Sequence, residues 1–276
     1  EAGLHGLLGT LSMLRKTRKA VRYWSSRLRS SSCVPLYWHI GTPNFGDDIN
    51  PSFFERLAGV RLRLETRLRT PHFFGVGSIL NRATETSITL GCGLLEPVSE
   101  PPRPRVVSLR GELSRRALGI DRDIPLGDPL VLIDRLVKPR GGDAVGFIPH
   151  VRSVAALRKC VPDGMRFIDP ARPPWQVVQA IGECSMVLSQ SLHGLIVADA
   201  FAIPNLWLAP SAHMKGGSFK FEDYFSTLDA PKTSHAITPE LLNDVPWHAF
   251  SVGRYKGNKA EYHDVLRAAI REGIHP

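Results

Sequence analysis

The chain has 276 residues, 43% of them apolar and 22% charged, and its 35 lysines and arginines against 26 acidic residues give a formal net charge of +9. This composition excludes a disordered or fibrous chain and supplies ample material for a packed core, in two small domains or one large one. No run of about 18 apolar residues occurs, so no segment reads as a membrane-spanning helix.

The positive charge is concentrated at the N-terminus. Residues 1–35 hold seven basic side chains, Arg15, Lys16, Arg18, Lys19, Arg22, Arg27 and Arg29, against Glu1 alone, whereas the remainder carries only +3. Ahead of these charges, Leu4, Leu7, Leu8, Leu11 and Leu14 fall at helical spacing. A secretory signal has the reverse order, so export is not expected. The arm, residues 1–34, reads as a basic amphipathic helix with two outlets. It lies in an anionic membrane interface, with Tyr23 and Trp24 at its edge, or it docks on the protein with its basic end in water. The scattered cysteines Cys33, Cys92, Cys160 and Cys184 form no CxxC pair, and HExxH, EF-hand and Walker patterns are absent. Reduced thiols and no metal site are therefore expected.

After the arm, Leu36–Ile40 reads as a strand, Gly41–Asp48 as a loop and Ile49–Ala58 as a helix. Val60–Leu64, His72–Val76, Ser87–Leu90 and Val106–Leu109 are further strands, and Glu112–Leu118 is a helix that stops at Gly119. The cluster Lys138-Pro139-Arg140-Gly141-Gly142 marks a boundary between a first domain, residues 35–138, and a second, residues 143–256. The second alternation runs through strand Ala144–Ile148, helix Ser153–Cys160, strand Arg166–Ile168, helix Pro174–Glu183 and strand Met186–Leu188. Helix His193–Phe201, strand Asn205–Leu208 and helix Glu222–Thr227 follow. A last helix, Ala260–Arg271 within residues 257–276, is expected to pack back on the first domain. This alternation predicts an α/β fold of two Rossmann-like domains with parallel sheets and a cleft at the carboxyl ends of their strands.

Three strand-to-helix turns carry candidate chemistry. In Ser189-Gln190-Ser191-Leu192-His193-Gly194, the free amides of a helix N-terminus over Ser191, Leu192 and Gly194 suit an anion. Ser189 and Ser191 add hydroxyls there and His193 a titratable ring; alternatively both serines are caps and His193 covers the turn. In Ser108-Leu109-Arg110-Gly111-Glu112, Arg110 presents a planar fork to carboxylate or phosphate, or else pairs with Glu112 or an acid of the other domain. Asp128, in the turn Gly127-Asp128-Pro129, is free to fix a neighbouring backbone group or Arg110. In Asn44-Phe45-Gly46-Asp47-Asp48, one of Asp47 and Asp48 caps the next helix. The other stands beside Asn44 as a cleft carboxylate able to relay a proton. Phe219–Phe225 is either plain packing or a wall where Lys220 and Tyr224 meet substrate.

Taken in order, NFGDD, GxGS, the RG turn, GDP and SLHGLIVADAFAIP resemble the polysaccharide pyruvyl transferase family from about Tyr37 to Asp229. Phe219–Phe225 is similar to the exopolysaccharide branch that includes the xanthan and succinoglycan ketal enzymes. The resemblance implies two Rossmann-like domains in a GT-B-like arrangement, phosphoenolpyruvate as donor substrate and no cofactor or metal. It implies transfer of the pyruvyl group onto two hydroxyls of one sugar, giving a cyclic ketal and phosphate. It further implies a lipid-linked oligosaccharide acceptor, a cytoplasmic enzyme and, through the basic arm, contact with the cytoplasmic face of the inner membrane. Arg110 and His193 take the donor-binding roles, with His193 the first candidate for the acid, and the acidic loop maps to Asp47 and Asp48. Gln190 between the serines and the short Pro210–Ser218 loop depart from the family pattern. The rival readings are a GT-B-like sugar-nucleotide glycosyltransferase and a non-catalytic protein that binds anionic membranes. Nucleic acid is disfavoured because the body is nearly neutral.

Overall fold

The computed structural model describes Val21, residues 33–212 and residues 214–274, so nearly all of the predicted amphipathic arm lies outside the described residues. Among the described residues, nine strands form two parallel sheets. The first contains β1 (Val34–Tyr37), β2 (Leu62–Leu64), β3 (His72–Phe74), β4 (Ser87–Leu90) and β5 (Arg105–Ser108), in the order β2-β1-β3-β4-β5. The second contains β6 (Ala144–Ile148), β7 (Met165–Phe167), β8 (Cys184–Ser189) and β9 (Asn205–Trp207), in the order β7-β6-β8-β9. Both follow one plan. The chain enters on an inner strand, steps to one edge, then crosses back to build the other side. Each sheet therefore has a topological switch, between β1 and β3 and between β6 and β8, and such switches open crevices at the strands' carboxyl ends. The α/β class with parallel sheets is the one expected from the sequence. β3 and β4 are buried along their whole length, as strands covered on both faces must be.

The helices are α1 (Phe45–Asp48), α2 (Asn50–Ala58), α3 (Glu112–Ala117), α4 (Val154–Leu157), α5 (Pro174–Gly182), α6 (Leu192–Ala200), α7 (Phe219–Phe225), α8 (Pro239–Asn243) and α9 (Lys259–Ile274). α2 has Pro51 in its first turn, where its missing N–H costs nothing, and ends on Gly59 in the left-handed region (φ 71°). α6 is buried from Leu192 to Asp199. It packs against a 3-10 turn, Pro129–Arg135, whose first five residues are also buried. α9 packs on α2 and β1 with Tyr262, Leu266 and Ile270 inside. One apolar cluster joins Leu36, Phe53 and Leu90 of the first half to Val187, Ile196 and Trp207 of the second. Lys138–Gly142 runs exposed between the sheets.

Several elements differ from the sequence-based expectation. The helix predicted at Ile49–Ala58 has a separate short turn, α1, ahead of it, because Phe45 is pulled into the core and its N–H bonds the Pro170 carbonyl at 2.8 Å. The helix predicted at Ser153–Cys160 shrinks to α4, none of whose residues is buried. Without an apolar face to bury, a short helix gains little from packing. The 3-10 turn at Pro129–Arg135 was not anticipated, since a brief apolar run reads equally as strand or helix. Asp128 caps it, accepting from the Leu130 N–H at 3.0 Å. Among the described residues, no helix is long and apolar enough to cross a membrane.

Candidate active site

A cavity of about 440 Å³ lies at the carboxyl ends of both sheets. From the first sheet come His39, Asn44 and Asp47 after β1, and Ser78, Asn81 and Arg82 after β3. From the second come His150 and Arg152 after β6, and Ser191, Leu192 and His193 after β8. Those four loops flank the two switch points, which therefore face one another. Lys220 of α7 closes one side, with Met214 and Lys215 ahead of it and Leu95 and Glu96 opposite.

The Asn44–Asp48 loop separates its two acids. Asp48 accepts from the Asn44 backbone N–H at 3.3 Å and does not line the cavity; α2 starts behind Ile49 with no side-chain cap, so neither acid caps it as expected. Asp47 does line it, and accepts from the Asn44 side-chain amide at 2.9 Å. Burial, with the Asp48 charge adding to it, pushes the Asp47 carboxyl up to about 7, against the opposing pull of the Asn44 hydrogen bond and Lys220. Asn50 ties this loop to the one after β3. Its amide donates to the Asp47 and Val76 carbonyls, and its Oδ1 accepts from the Val76 N–H. Gly46 is required by close approach: a Cβ there would stand 1.9 Å from His193 Nδ1.

The turn into α6 is built by the two serines. Ser189 is fully buried; its hydroxyl donates to the Ser191 carbonyl (2.8 Å) and accepts from the Ser191 N–H (3.1 Å). Ser191 is the N-cap and accepts from the Gly194 N–H at 3.4 Å. Gly194 lets the helix seat against Ser189 Oγ, which a Cβ would approach to 2.4 Å. Ser189 and Gly194 thus shape the turn, contrary to the expectation that they face a ligand. Ser191, Leu192 and His193 reach the cavity wall, and the amides of the first turn have no intrahelical partner. Gln190, the departure from the family pattern, is a clamp: it accepts from the His150 N–H (3.1 Å) and donates to the Ala209 carbonyl (2.9 Å).

His193 is held down to about 3 by burial first, then by the Lys220 and Arg110 charges. Its Nε2 has no hydrogen bond among the described residues and lies 3.9 Å from Asp128 Oδ2, which likewise has none. Burial raises the Asp128 carboxyl to about 7. In this setting the imidazolium is disfavoured, which weighs against the acid role expected from sequence. His150 behaves alike, lowered to about 4 by burial, Lys220 and Arg152, with a buried, unpartnered Nδ1. Lys220 is lowered to about 8 by burial and Arg110, and its Nζ sits 5.3 Å from the Phe221 ring centroid.

Arg110 corrects the expectation most sharply. It is fully buried and does not line the cavity. Its Nε donates to Asp223 Oδ2 (2.9 Å), its Nη2 to the Leu94 carbonyl (2.6 Å) and its Nη1 to Ser78 Oγ (2.6 Å). The fork is taken by an acid of α7, the alternative its sequence context left open. Tyr224 is also internal, donating to Asp199 Oδ2 at 3.1 Å. Sequence reasoning passed over His39, Ser78, Asn81, Arg82, His150 and Arg152 as site residues. Each follows the end of a parallel strand by two to eight residues, a signal that could have found them, and Ser78 stands besides in the GxGS turn.

Lys215 is paired with Glu96 at 3.0 Å. That leaves Arg82, Arg152, Lys220 and the α6 amides against Asp47, a lining suited to a small anion beside a proton donor active near neutrality. No group of three or more His, Cys, Asp or Glu side chains among the described residues could hold a metal ion.

Residues 102–212 match the family model described as polysaccharide pyruvyl transferase. The chain is 33% identical over 210 residues to the succinoglycan biosynthesis protein ExoV of Rhizobium meliloti, covering 70% of this chain and 64% of that protein. It thus spans slightly less than two thirds of that relative's length. It is 28% identical over 213 residues to an uncharacterized protein of Acanthamoeba polyphaga mimivirus, covering 70% of this chain and 74% of the other. Among solved structures, an uncharacterized Klebsiella pneumoniae protein aligns over 81% of this chain and 98% of its own, with a TM-score of 0.42 and 12% identity.

Proposed function

The chain belongs to the polysaccharide pyruvyl transferase family, and from that premise we propose that it transfers the pyruvyl group of phosphoenolpyruvate to two hydroxyls of one sugar in an exopolysaccharide repeat unit. The observation that carries this reading is the half-buried Asp47 carboxyl, raised to about 7, on the wall of a cavity whose unpaired charges are otherwise cationic.

The donor's phosphate and carboxylate meet Arg82, Arg152, Lys220 and the first-turn amides of α6, groups that only donate hydrogen bonds. Asp47 gives its proton to the methylene carbon, which becomes a methyl group. A sugar hydroxyl attacks the adjacent carbon and passes its proton to His193. The donor's negative charge raises the ring's proton affinity, and the nearby Asp128 carboxylate balances the imidazolium. The carbon–oxygen bond to phosphate then breaks, phosphate leaving with the electron pair and the His193 proton. The second hydroxyl closes the ketal and returns a proton to Asp47. Each proton removed from the sugar is accounted for, one in the methyl group and one in the released phosphate.

The acceptor in this reading is a lipid-linked oligosaccharide at the cytoplasmic face of the inner membrane, where the basic arm concentrates the enzyme on anionic lipid. Incubation with phosphoenolpyruvate and a synthetic acceptor oligosaccharide should give a product heavier by one pyruvyl ketal and an equal amount of free phosphate. Stabilisation by a sugar nucleotide instead of phosphoenolpyruvate, with no such product, would point to glycosyl transfer and refute the proposal.

A further inference from the structure

Resting on that reading, we infer that Ser78 binds an anionic oxygen of the donor and that Arg110 is a positioning residue acting on the donor only through the Ser78 hydroxyl. A serine hydroxyl carries one hydrogen to donate and two lone pairs to accept. A guanidinium can only donate, so the 2.6 Å contact from Arg110 Nη1 occupies a lone pair of Ser78 Oγ and leaves its hydrogen free. Among the described residues no acceptor takes that hydrogen, while Ser78 is half-buried and lines the cavity. The hydroxyl is therefore a donor toward whatever fills the cavity, polarised from behind by a cation. Hydrogen bonds made in such chains strengthen one another.

Arg110 cannot turn to meet the ligand itself. Two of its nitrogens lie 2.9 Å from Asp223 Oδ2. Asp223 is held in turn by the Ser114 backbone N–H (2.8 Å) and hydroxyl (2.7 Å). The guanidinium also lies flat on Gly93, where a Cβ would stand 2.4 Å from Cζ. Reorienting the fork would strand a fully buried carboxylate. Ser78 owes its own place to Gly77, whose φ of 124° only glycine adopts easily, so the GxGS spacing places a hydroxyl between a buried cation and the cavity.

The test measures binding of phosphoenolpyruvate, inorganic phosphate and pyruvate to the full chain by calorimetry, with thermal unfolding of each variant alongside. Ser78→Ala should raise the Kd for phosphoenolpyruvate by about tenfold or more, the usual weight of a charged hydrogen bond; it also takes an acceptor from the buried Arg110 Nη1, so a modestly lower unfolding temperature is expected with the Arg110–Asp223 pair intact. Ser78→Thr, which keeps the hydroxyl, should restore most of the affinity. A parallel loss for inorganic phosphate places the bond on the phosphoryl group; a parallel loss for pyruvate places it on the carboxylate. If wild type binds phosphoenolpyruvate and Ser78→Ala binds all three probes equally well, this inference falls and pyruvyl transfer stands. If wild type binds phosphate through Ser78 but not phosphoenolpyruvate, pyruvyl transfer falls and the hydroxyl's role stands. Wild type that binds none of the three overturns both.

Discussion

Gly46→Ala tests the placement of His193 without altering any group that would touch substrate. Replacing glycine by alanine inside a helical turn ordinarily stabilises by up to about 1 kcal/mol. Here the new Cβ would lie 1.9 Å from His193 Nδ1, 2.4 Å from Cγ and 2.6 Å from Cε1. Ordinary contact needs about 3.5 Å, so the ring must withdraw by roughly 1.5 Å. The withdrawal is obstructed. Phe45 meets the imidazole edge-on with centroids 6.3 Å apart, and Asp128 Oδ2 lies only 3.9 Å beyond Nε2. Overpacking of this kind costs about 1–3 kcal/mol, which outweighs the helical gain. A misplacement of about 1 Å at a reacting group typically costs around a hundredfold in rate. The expected result is a lower unfolding temperature and a kcat reduced about a hundredfold, read from phosphate release at saturating phosphoenolpyruvate. In a His193→Ala background there is no ring to strike, so adding Gly46→Ala should change kcat little. Wild-type turnover in Gly46→Ala, or an undiminished further loss in the His193→Ala background, would refute the reasoning.

The two neighbouring acids should separate cleanly in the same phosphate-release assay. Asp47→Asn is expected to lower kcat by about 10²- to 10⁴-fold, the usual weight of a general acid. Asp48→Asn, which keeps an acceptor for the Asn44 N–H, should leave both kcat and the urea midpoint close to wild type. Because Asp47 is raised to about 7, its reactive form is the protonated one, and kcat should decline as pH rises through about 7. A kcat flat from pH 6 to 8 would assign the proton elsewhere. Asp223→Ala leaves the buried Arg110 without its counter-charge and should destabilise by about 3–5 kcal/mol, seen as a lower urea midpoint.

Most strands were legible because parallel strands covered on both faces are short apolar runs between turn residues, and β4 and β6 begin and end where their residues predict. Helix ends were legible where a cap or a glycine sets them, as at Ser191 and Gly59. Partners distant in sequence were not. Nothing near Arg110 indicates that its fork is claimed by Asp223 of α7 and by Ser78, because that choice is made when the chain folds back on itself. The same limit hid His150, whose neighbours in sequence carry no motif; only the end of β6 at a switch point marks it. The sequence could say that Asp47 and Asp48 play different parts, although neither caps the next helix as expected. Which does which depends on whether Asn44 presents its backbone or its side chain, a matter of side-chain direction within one turn.

Two buried aspartates in this fold show how function can be told from support. Asp199 receives four donors, from Asn205 (2.7 Å), Tyr224 (3.1 Å), the Gly253 N–H (2.6 Å) and Lys232 (3.2 Å), so its charge is fully met. It pins α6 to β9 and to the strap after α8, away from the cavity lining. Asp128 is equally buried, yet only its Oδ1 is used, by the Leu130 N–H, and Oδ2 is left facing His193 across 3.9 Å. A carboxylate oxygen and an imidazole nitrogen, each buried with no hydrogen bond among the described residues, are costly, since neither recovers its lost hydration. A proton placed between them relieves that cost, carried by the ring or by the Asp128 carboxyl, which burial raises to about 7. A bound anion favours the ring as its carrier. Asp199 therefore spends both oxygens on support, whereas Asp128 divides its own between capping the 3-10 turn through Oδ1 and facing His193 through Oδ2.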